Sequence, residues 1–325
     1  MIMSIEVVDF STDFSAQAAE LVHEAQIKEF KAKAIGHEVS PGFCREKIEA
    51  ELAGEGARAY MLLERGLFLG FAIGVIDRDP LWGDSGWVHL GGWGIAESRK
   101  DLLNLLYQRV GDDFVKLGIS QHYFQVWDND IEVLEIMNNL GFAKEQTYAC
   151  LELGQRADNR PETSSFTARR GRASDKNQLS NFSRLIAEHQ MKSPCFASAP
   201  AAYLEALDEG FDELLDDAEA DVFVVEQDES LAGYQVYYEA GQSLIIPAKS
   251  AELAVSGVSE EYRGKGAGYV LTQFGLDEQL KAGYSHAVTD WRCANMLSGK
   301  FWRSVGFIPN SHRLVRRIDP LLKKQ

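Results

Sequence analysis

A chain of 325 residues is about twice the length of an ordinary domain, so two compact units of roughly 160 residues each are expected. Its 49 acidic residues against 33 Lys and Arg leave a formal charge of −16, which repels phosphate backbones and argues against nucleic acid as a partner. A hydrophobic share of 45% excludes a disordered chain, and the longest nearly apolar run, Gly66 to Ile76, is far short of the roughly 20 residues that span a bilayer.

The opening stretch MIMSIEVVDF has no basic segment ahead of a long apolar core, so no export signal is read there. A cytoplasmic protein without membrane contact is expected. Cys44, Cys150, Cys195 and Cys293 are scattered without paired spacing, the pattern of reduced thiols and not of a disulfide framework, and no metal site is expected. The seven histidines form no HxH or HxxxH pair, and none is assigned a catalytic role.

Each half reads as strand, two helices, several strands, helix, strand, helix, strand; in the first, LFLGFAIGVI (Leu67 to Ile76) faces Ser230 to Tyr238 of the second, a helix starts within AESRKDLLNLL, and later comes Lys116 to Phe142. That last stretch aligns without a gap on Lys281 to Phe307, so that Lys116, Gly118, Ser120, Gly141 and Phe142 meet Lys281, Gly283, Ser285, Gly306 and Phe307. Each partner lies 165 positions further on (281 against 116). Upstream, Gly70 faces Gly233, each followed by an aromatic residue. The halves are therefore read as copies of one domain. Between them, Gln155 to Ser165 is polar, carries Pro161 and has no apolar periodicity. The predicted division is residues 1–155, a linker at 156–165, and 166–325.

The second copy predicts a strand at Phe166 to Arg172, then a helix capped by Ser174 or Asp175 and running to about His189. A further helix is predicted over Ala201 to Ala218, then a hairpin of Asp221 to Glu226 and Ala232 to Tyr238 around Gln227 to Ser230, and a strand at Ala251 to Val258. After a glycine-rich segment comes a helix carrying Val270, Leu271 and Phe274 on one side, with Lys281 near its end and Gly283 past it. His286 to Trp291 is a strand, Ser298 to Val305 a helix closed by Gly306, and His312 to Ile318 the last strand. The order is that of an α+β fold with a mixed sheet.

The glycine-rich segment Tyr262-Arg263-Gly264-Lys265-Gly266-Ala267-Gly268 lies between a strand and a helix. Glycines there let backbone N–H groups turn toward one point, and the following helix adds the positive end of its dipole, which together make a phosphate cradle. It is not a P-loop, since no Ser or Thr follows Lys265, and not the dinucleotide fingerprint, since Tyr269 stands where the third glycine belongs.

Arg263-x-x-Gly266-x-Gly268 resembles the [Arg/Gln]-x-x-Gly-x-[Gly/Ala] loop of the GCN5-related N-acetyltransferase (GNAT) superfamily. Asn295, Ser298, Trp302 and Gly306-Phe307 resemble that family's Asn-x-x-Ala-x-x-x-Tyr-x-x-x-Gly-Phe element at the same distance downstream. The resemblance implies two tandem GNAT-type domains, each a mixed central sheet flanked by helices, and acetyl-coenzyme A as co-substrate. It implies that Gly264, Lys265, Gly266, Ala267 and Gly268 donate N–H bonds to a pyrophosphate at a loop begun by Arg263. Ser256, Gly257 and Val258 would pair with the pantetheine arm, and Asn295 would bind the arm or the chain around it.

Glu252 occupies the position of the general base in the histone-acetyltransferase branch. Strict alternation puts it on one face with Ala254, Ser256 and Val258, while a charged residue at a strand edge is the bland alternative. The N–H of Val258 would stabilise the developing oxyanion. Where the family places an acidic tyrosine this chain has Trp302, whose indole cannot give up its proton near neutrality. Core packing beside Phe301 and Phe307 is the competing role for Trp302. Tyr284 and Tyr262 are left as other sources of the acid.

At the offset of 165, Gly266 and Gly268 fall on Asp101 and Leu103, Asn295 on Asp130, and Trp302 on Met137. No glycine lies between Ile95 and Val110. The first copy is therefore expected to be degenerate and silent toward the cofactor.

The expected function is acetyl transfer to the primary amine of a small-molecule or peptide acceptor by direct attack on the thioester in the second copy. Glu209, Asp212, Glu213, Asp216 and Asp217 would steer a cationic acceptor, unless they are only a solvated helix face. Two alternatives stay open: a non-catalytic acyl-coenzyme A-binding module, and an acetyltransferase of thiol biosynthesis similar to mycothiol synthase.

Overall fold

The computed structural model describes residues 5–156, 165–319 and 321–322. Among them, unit 1 takes the residues up to Thr147 together with those from Pro309 onward, and unit 2 takes Tyr148–Ile308. Unit 1 runs β1 (Ile5–Asp9), α1 (Ser15–Lys33), α2 (Pro41–Leu52), β2 (Arg58–Glu64), β3 (Leu67–Asp77), β4 (Ser85–Val88), β5 (Trp93–Ile95), α3 (Leu103–Lys116), β6 (Gln121–Trp127) and α4 (Ile131–Asn139). Strand β7 (Ala143–Glu152) begins in unit 1 and ends in unit 2. Unit 2 continues with β8 (Thr167–Arg170), α5 (Lys176–Ser180), α6 (Leu185–Met191), α7 (Ala201–Glu213), β9 (Asp221–Gln227), β10 (Ser230–Ala240), β11 (Ser250–Val258), α8 (Ala267–Lys281), β12 (His286–Arg292) and α9 (Met296–Val305). Strand β13 (Ile308–Arg317) returns to unit 1.

The sheet of unit 1 has the order β1-β2-β3-β4-β6-β13, with β5 on β3; that of unit 2 has the end of β7 beside β12, then β11-β10-β9-β8. In each unit one pair is parallel, β4 with β6 and β11 with β12, and the hairpins are antiparallel. The fold is thus the mixed α+β architecture expected, but the division of the chain differs from 1–155 and 166–325. Residues of β13 pair with β6 from Ser311↔Trp127 to Arg317↔Gln121, so the last strand does not close unit 2. Buried His312 anchors it: its Nε2 lies 2.6 Å from Asp128 Oδ1 and its Nδ1 3.2 Å from Thr147 Oγ1, while Lys33 Nζ donates to Asp128 Oδ2 at 2.5 Å. Most of the predicted linker lies outside the described residues. Its first residue, Arg156, is held by Leu153 O at 3.1 Å and by an ion pair with Asp277.

Each helix buries the face that its sequence spacing offers. On α3, Leu103, Leu106, Tyr107, Val110 and Phe114 recur at three or four residues and meet Leu62, Ile76, Val88 and Phe124. In unit 2, Leu271 and Leu276 of α8 with Trp302 and Val305 of α9 cover Phe223, Tyr237, Leu253 and Trp291, while α5 and α7 cover the other face through Leu179 and Phe211 on Val222, Val224, Tyr234 and Val236. Gly70 and Gly233 share one cause. A Cβ at Gly70 would meet Gly94 O at 2.6 Å, and one at Gly233 would meet Gly257 O at 2.5 Å, so each lets a neighbouring strand approach closely.

The single helix predicted up to His189 is instead α5 and α6, parted at 181–184. Ser183 Oγ and Arg184 Nη2 both reach Asp208 of α7, at 2.6 and 2.5 Å, and Phe182 is buried. Tertiary bonds here outweigh helical continuity. Helix α7 likewise stops at Glu213, short of the predicted Ala218.

Candidate active site

Strands β11 and β12 hydrogen-bond in parallel only over Ser250–Glu252 and His286–Val288. Beyond that the side chain of Thr289 takes over, donating to Leu253 O at 3.0 Å, and the remaining two-thirds of β11 is left without a ladder on that side. Ser259 N–H donates to Ala232 O at 2.9 Å. By the alternation of an antiparallel ladder, Val258 therefore turns its own N–H and C=O away from β10 and toward the gap. Its C=O already accepts Arg263 Nε at 3.0 Å, so the Arg263 side chain braces the strand end.

The loop that follows is built by its glycines. Gly264 has φ +72° and Gly266 φ +98°, a region costly for residues with a Cβ. Helix α8 starts at Ala267 with Gly266 as its N-cap; Tyr269 N–H already donates to Gly266 O at 3.1 Å, so the first-turn amides without an intrahelical acceptor are those of Ala267 and Gly268. A Cβ at Gly268 would lie 3.4 Å from Val258 and 3.6 Å from Phe301, in ordinary contact. Of the amides expected to form the cradle, that of Lys265 donates inward to Tyr262 O at 3.4 Å, and Lys265 Nζ lies 6.0 Å from the centre of the Tyr262 ring. The positive-φ turn, the helix start and the unladdered strand fit a diphosphate with an extended arm.

Asn295 is the N-cap of α9, its side chain accepting from Ser298 N–H at 3.2 Å. Asp130, its counterpart, caps α4 in the same way, accepting from Val133 N–H at 3.2 Å. Trp302 is buried between Phe301 and Phe307, with ring centres 4.8 and 5.6 Å away, which places it in the core. Tyr262 packs edge-on against Phe166, and Tyr284 follows α8 near Asp221 and Glu239, at the opposite end of β12 from the gap.

The structure corrects the expected placement of Glu252. Val236 pairs with Val255 but Tyr237 pairs with Leu253, so Ala254 is an extra residue, a β-bulge. The alternation changes phase there. Ser256 faces α8, receiving Gln235 Nε2 at 3.2 Å, whereas Glu252 stands opposite Tyr238 on the α5–α7 face. Glu252 and Ser256 lie on opposite faces of the sheet, not one. The Glu252 carboxyl is raised above the ordinary range, first by partial loss of solvent and second by the charge of Asp290. Tyr238 OH donates to Asp217 at 3.3 Å, bringing one of the expected acidic residues near; Asp212 is instead an acceptor for Ser180 Oγ at 2.8 Å.

Residues 187–307 match the model of the acetyltransferase (GNAT) family. The chain carries a GNAT domain. The whole chain is similar in fold to a GCN5-related N-acetyltransferase from Sphaerobacter thermophilus, with a TM-score of 0.60 and 14% identity over 97% of this chain and 96% of that one. It is similar to a fungal GCN5-related glucosamine N-acetyltransferase region of a multi-domain GH3 β-N-acetylglucosaminidase (TM-score 0.55, 16% identity, 97% of this chain, 38% of that one). A tandem GNAT protein from the clavulanic acid biosynthesis pathway gives a TM-score of 0.50 at 14% identity, over 98% and 99% of the two chains. No relative of curated function matches. The fold over the whole chain is therefore that of a tandem GNAT protein. Among the described residues no helix is long and apolar enough to cross a membrane.

Sequence reasoning missed two features of this site. The bulge shows only in the pairing register, and Asp290, the charge neighbour of Glu252, lies two residues past Val288 on a strand whose alignment with β11 had to be known first.

Proposed function

We propose that unit 2 transfers the acetyl group of acetyl-coenzyme A to a primary amine, with Glu252 as general base. The observation that carries this reading is the gap between β11 and β12, with the glycine turn at its far end and a carboxylate on the opposite face beside its start. The co-substrate supplies an activated acyl group, and the residues do the rest. The amides of Gly264, Gly266, Ala267 and Gly268 bind the diphosphate from the α8 side. Ser256 and Val258 hold the arm as a further strand would, and the Val258 N–H faces the position where negative charge develops.

An aliphatic ammonium has a pKa near ~10, so its proton must leave before its lone pair can attack. Glu252 takes that proton from the α5–α7 face, and because the bulge separates it from Ser256 and Val258, acceptor and thioester approach from opposite sides of the sheet. Asp217, Asp290 and Glu252 give that face a negative field suited to a cationic acceptor.

Thiol release with a panel of amines tests the reading. Glu252→Gln should lower turnover by about 10²-fold or more, most at mildly acidic pH where unaided amine deprotonation is scarcest; an unchanged pH–rate profile removes Glu252 from the mechanism. The burial of Trp302 favours one second reading, a non-catalytic acyl-coenzyme A-binding module, which coenzyme binding without turnover on any amine would select.

A further inference from the structure

Beneath the first turns of α8 lies a set of polar side chains that the proposed reaction does not use. Gln235 of β10 is fully buried, and its amide meets three of them. Its Nε2 lies 2.7 Å from Thr272 Oγ1 and 3.2 Å from Ser256 Oγ, and its Oε1 lies 3.1 Å from the Tyr237 hydroxyl. Thr272 Oγ1 in turn lies 2.7 Å from Gly268 O, one helical turn earlier. Helix α8 makes room for this set at Gly275, where a Cβ would stand 2.9 Å from the Tyr237 hydroxyl oxygen and 3.1 Å from Gln235 Oε1.

The direction of every bond in the set follows from one carbonyl. Gly268 O can only accept, so the Thr272 hydroxyl spends its hydrogen there and turns a lone pair to Gln235. Gln235 must therefore present its NH₂ to Thr272, which leaves Oε1 to accept from Tyr237. Burial pushes the Tyr237 hydroxyl well above its usual range and keeps that hydrogen in place. The second hydrogen of Nε2 goes to Ser256 Oγ. Ser256 thus receives from Gln235, its own hydrogen must point elsewhere, and among the described residues no acceptor takes it. Ser256 is half-buried on the part of β11 that has no ladder with β12.

We propose that Gln235 is a positioning residue that holds Ser256 as a hydrogen-bond donor, and that Ser256 Oγ–H donates to an amide carbonyl of the coenzyme's extended arm. This rests on the reading of unit 2 given above. Through Thr272 and Gly268 the same amide group also ties the arm strand to the first turn of α8, so that arm and diphosphate are held in one register. A network made only of buried groups thereby sets the polarity of the one hydroxyl at its edge.

The test is isothermal titration of the full chain with coenzyme A and with 3′-phospho-ADP, the same nucleotide without its arm. Ser256→Ala should weaken coenzyme A binding about tenfold and leave the nucleotide unchanged. Gln235→Met, apolar and of similar volume, should weaken coenzyme A by about threefold to tenfold, again without loss for the nucleotide. Combined with Ser256→Ala it should cost nothing further, because Gln235 acts on the arm only through Ser256. Should Gln235→Met fold poorly, Gln235→Asn, an amide too short to reach both hydroxyls, gives the same comparison. Unchanged coenzyme A affinity in Ser256→Ala, equal losses for both ligands in a Gln235 variant, or losses that add in the double variant would each overturn the proposal. A wild type that does not bind coenzyme A overturns the reading of the cradle itself, and the proposal falls with it.

Discussion

The segments 263–268 and 97–102 hold corresponding places in the two units, after a strand that diverges from its parallel neighbour and before a helix. In unit 2 the turn is made by two glycines at positive φ, and the helix begins with the amides of Ala267 and Gly268 lacking intrahelical acceptors. In unit 1 the same stretch is a 3-10 turn whose side chains close on themselves: Lys100 is 5% exposed and bonded to Asp130 and Glu97, and Arg99 to Glu64 at 2.7 Å. The gap too is bridged, since Leu90 N–H and the Trp93 indole both donate to Gln125. One scaffold can therefore keep its strand divergence and its helix caps while exchanging a backbone cradle for an internal ion-pair network. What distinguishes the units is which groups fill the space after the strand.

The comparison breaks most readily at Gly266. Gly266→Asp copies the unit 1 residue, forces a Cβ into φ +98° and places a carboxylate at the diphosphate position. Acetyl-coenzyme A affinity should fall by about 100-fold or more, and calorimetry showing retained affinity would refute the assignment of the cradle. The converse change, Asp101→Gly, should leave one coenzyme bound per chain, because Lys100 and Trp93 still occupy the unit 1 space; a second bound coenzyme would show that Asp101 alone silences it.

A smaller contrast concerns acid. In unit 1 His122 is buried against Tyr107 and Ile119, and burial first, with Arg316 opposing its charge, lowers it to about 4. A folded-state value below the unfolded one means that the unfolded chain takes up the proton first. Stability is therefore lost as pH falls from about 6.5 toward 4. His122→Gln should remove up to about 3 kcal/mol of that loss, read from urea unfolding at a series of pH values; an unaltered slope would show that His122 does not govern it. The smallest effect is expected at Trp302→Tyr, which supplies the family's acidic side chain at a core position. It should cost about 1 kcal/mol of stability and change turnover less than twofold. A large rise in turnover would place that residue at the thioester.

Much of this site was legible in the sequence. Gly264 and Gly266 marked the turn by conformational need, and the offset of 165 found Asn295 and Asp130, which prove to share a capping role. The face of Glu252 was not legible, because a bulge at Ala254 leaves no mark in local alternation and exists only in the register with β10. Nor was the path of the closing strand. His312 fits any buried strand, and only its bonds to Asp128 and Thr147 show which sheet receives it. Local pattern specifies an element's type, whereas its partner is chosen by groups far away in sequence.

The return of β13 has a consequence for synthesis. As the ribosome delivers the chain, β6 joins β4 early, yet its other edge has no partner until residues 311–317 emerge. Its exposed edge must wait while the whole of unit 2 is made, a long interval in which a nascent chain is open to aggregation or to capture by chaperones. Unit 2 needs only Tyr148–Ile308 and can mature first, although unit 1 is the one whose synthesis starts earlier.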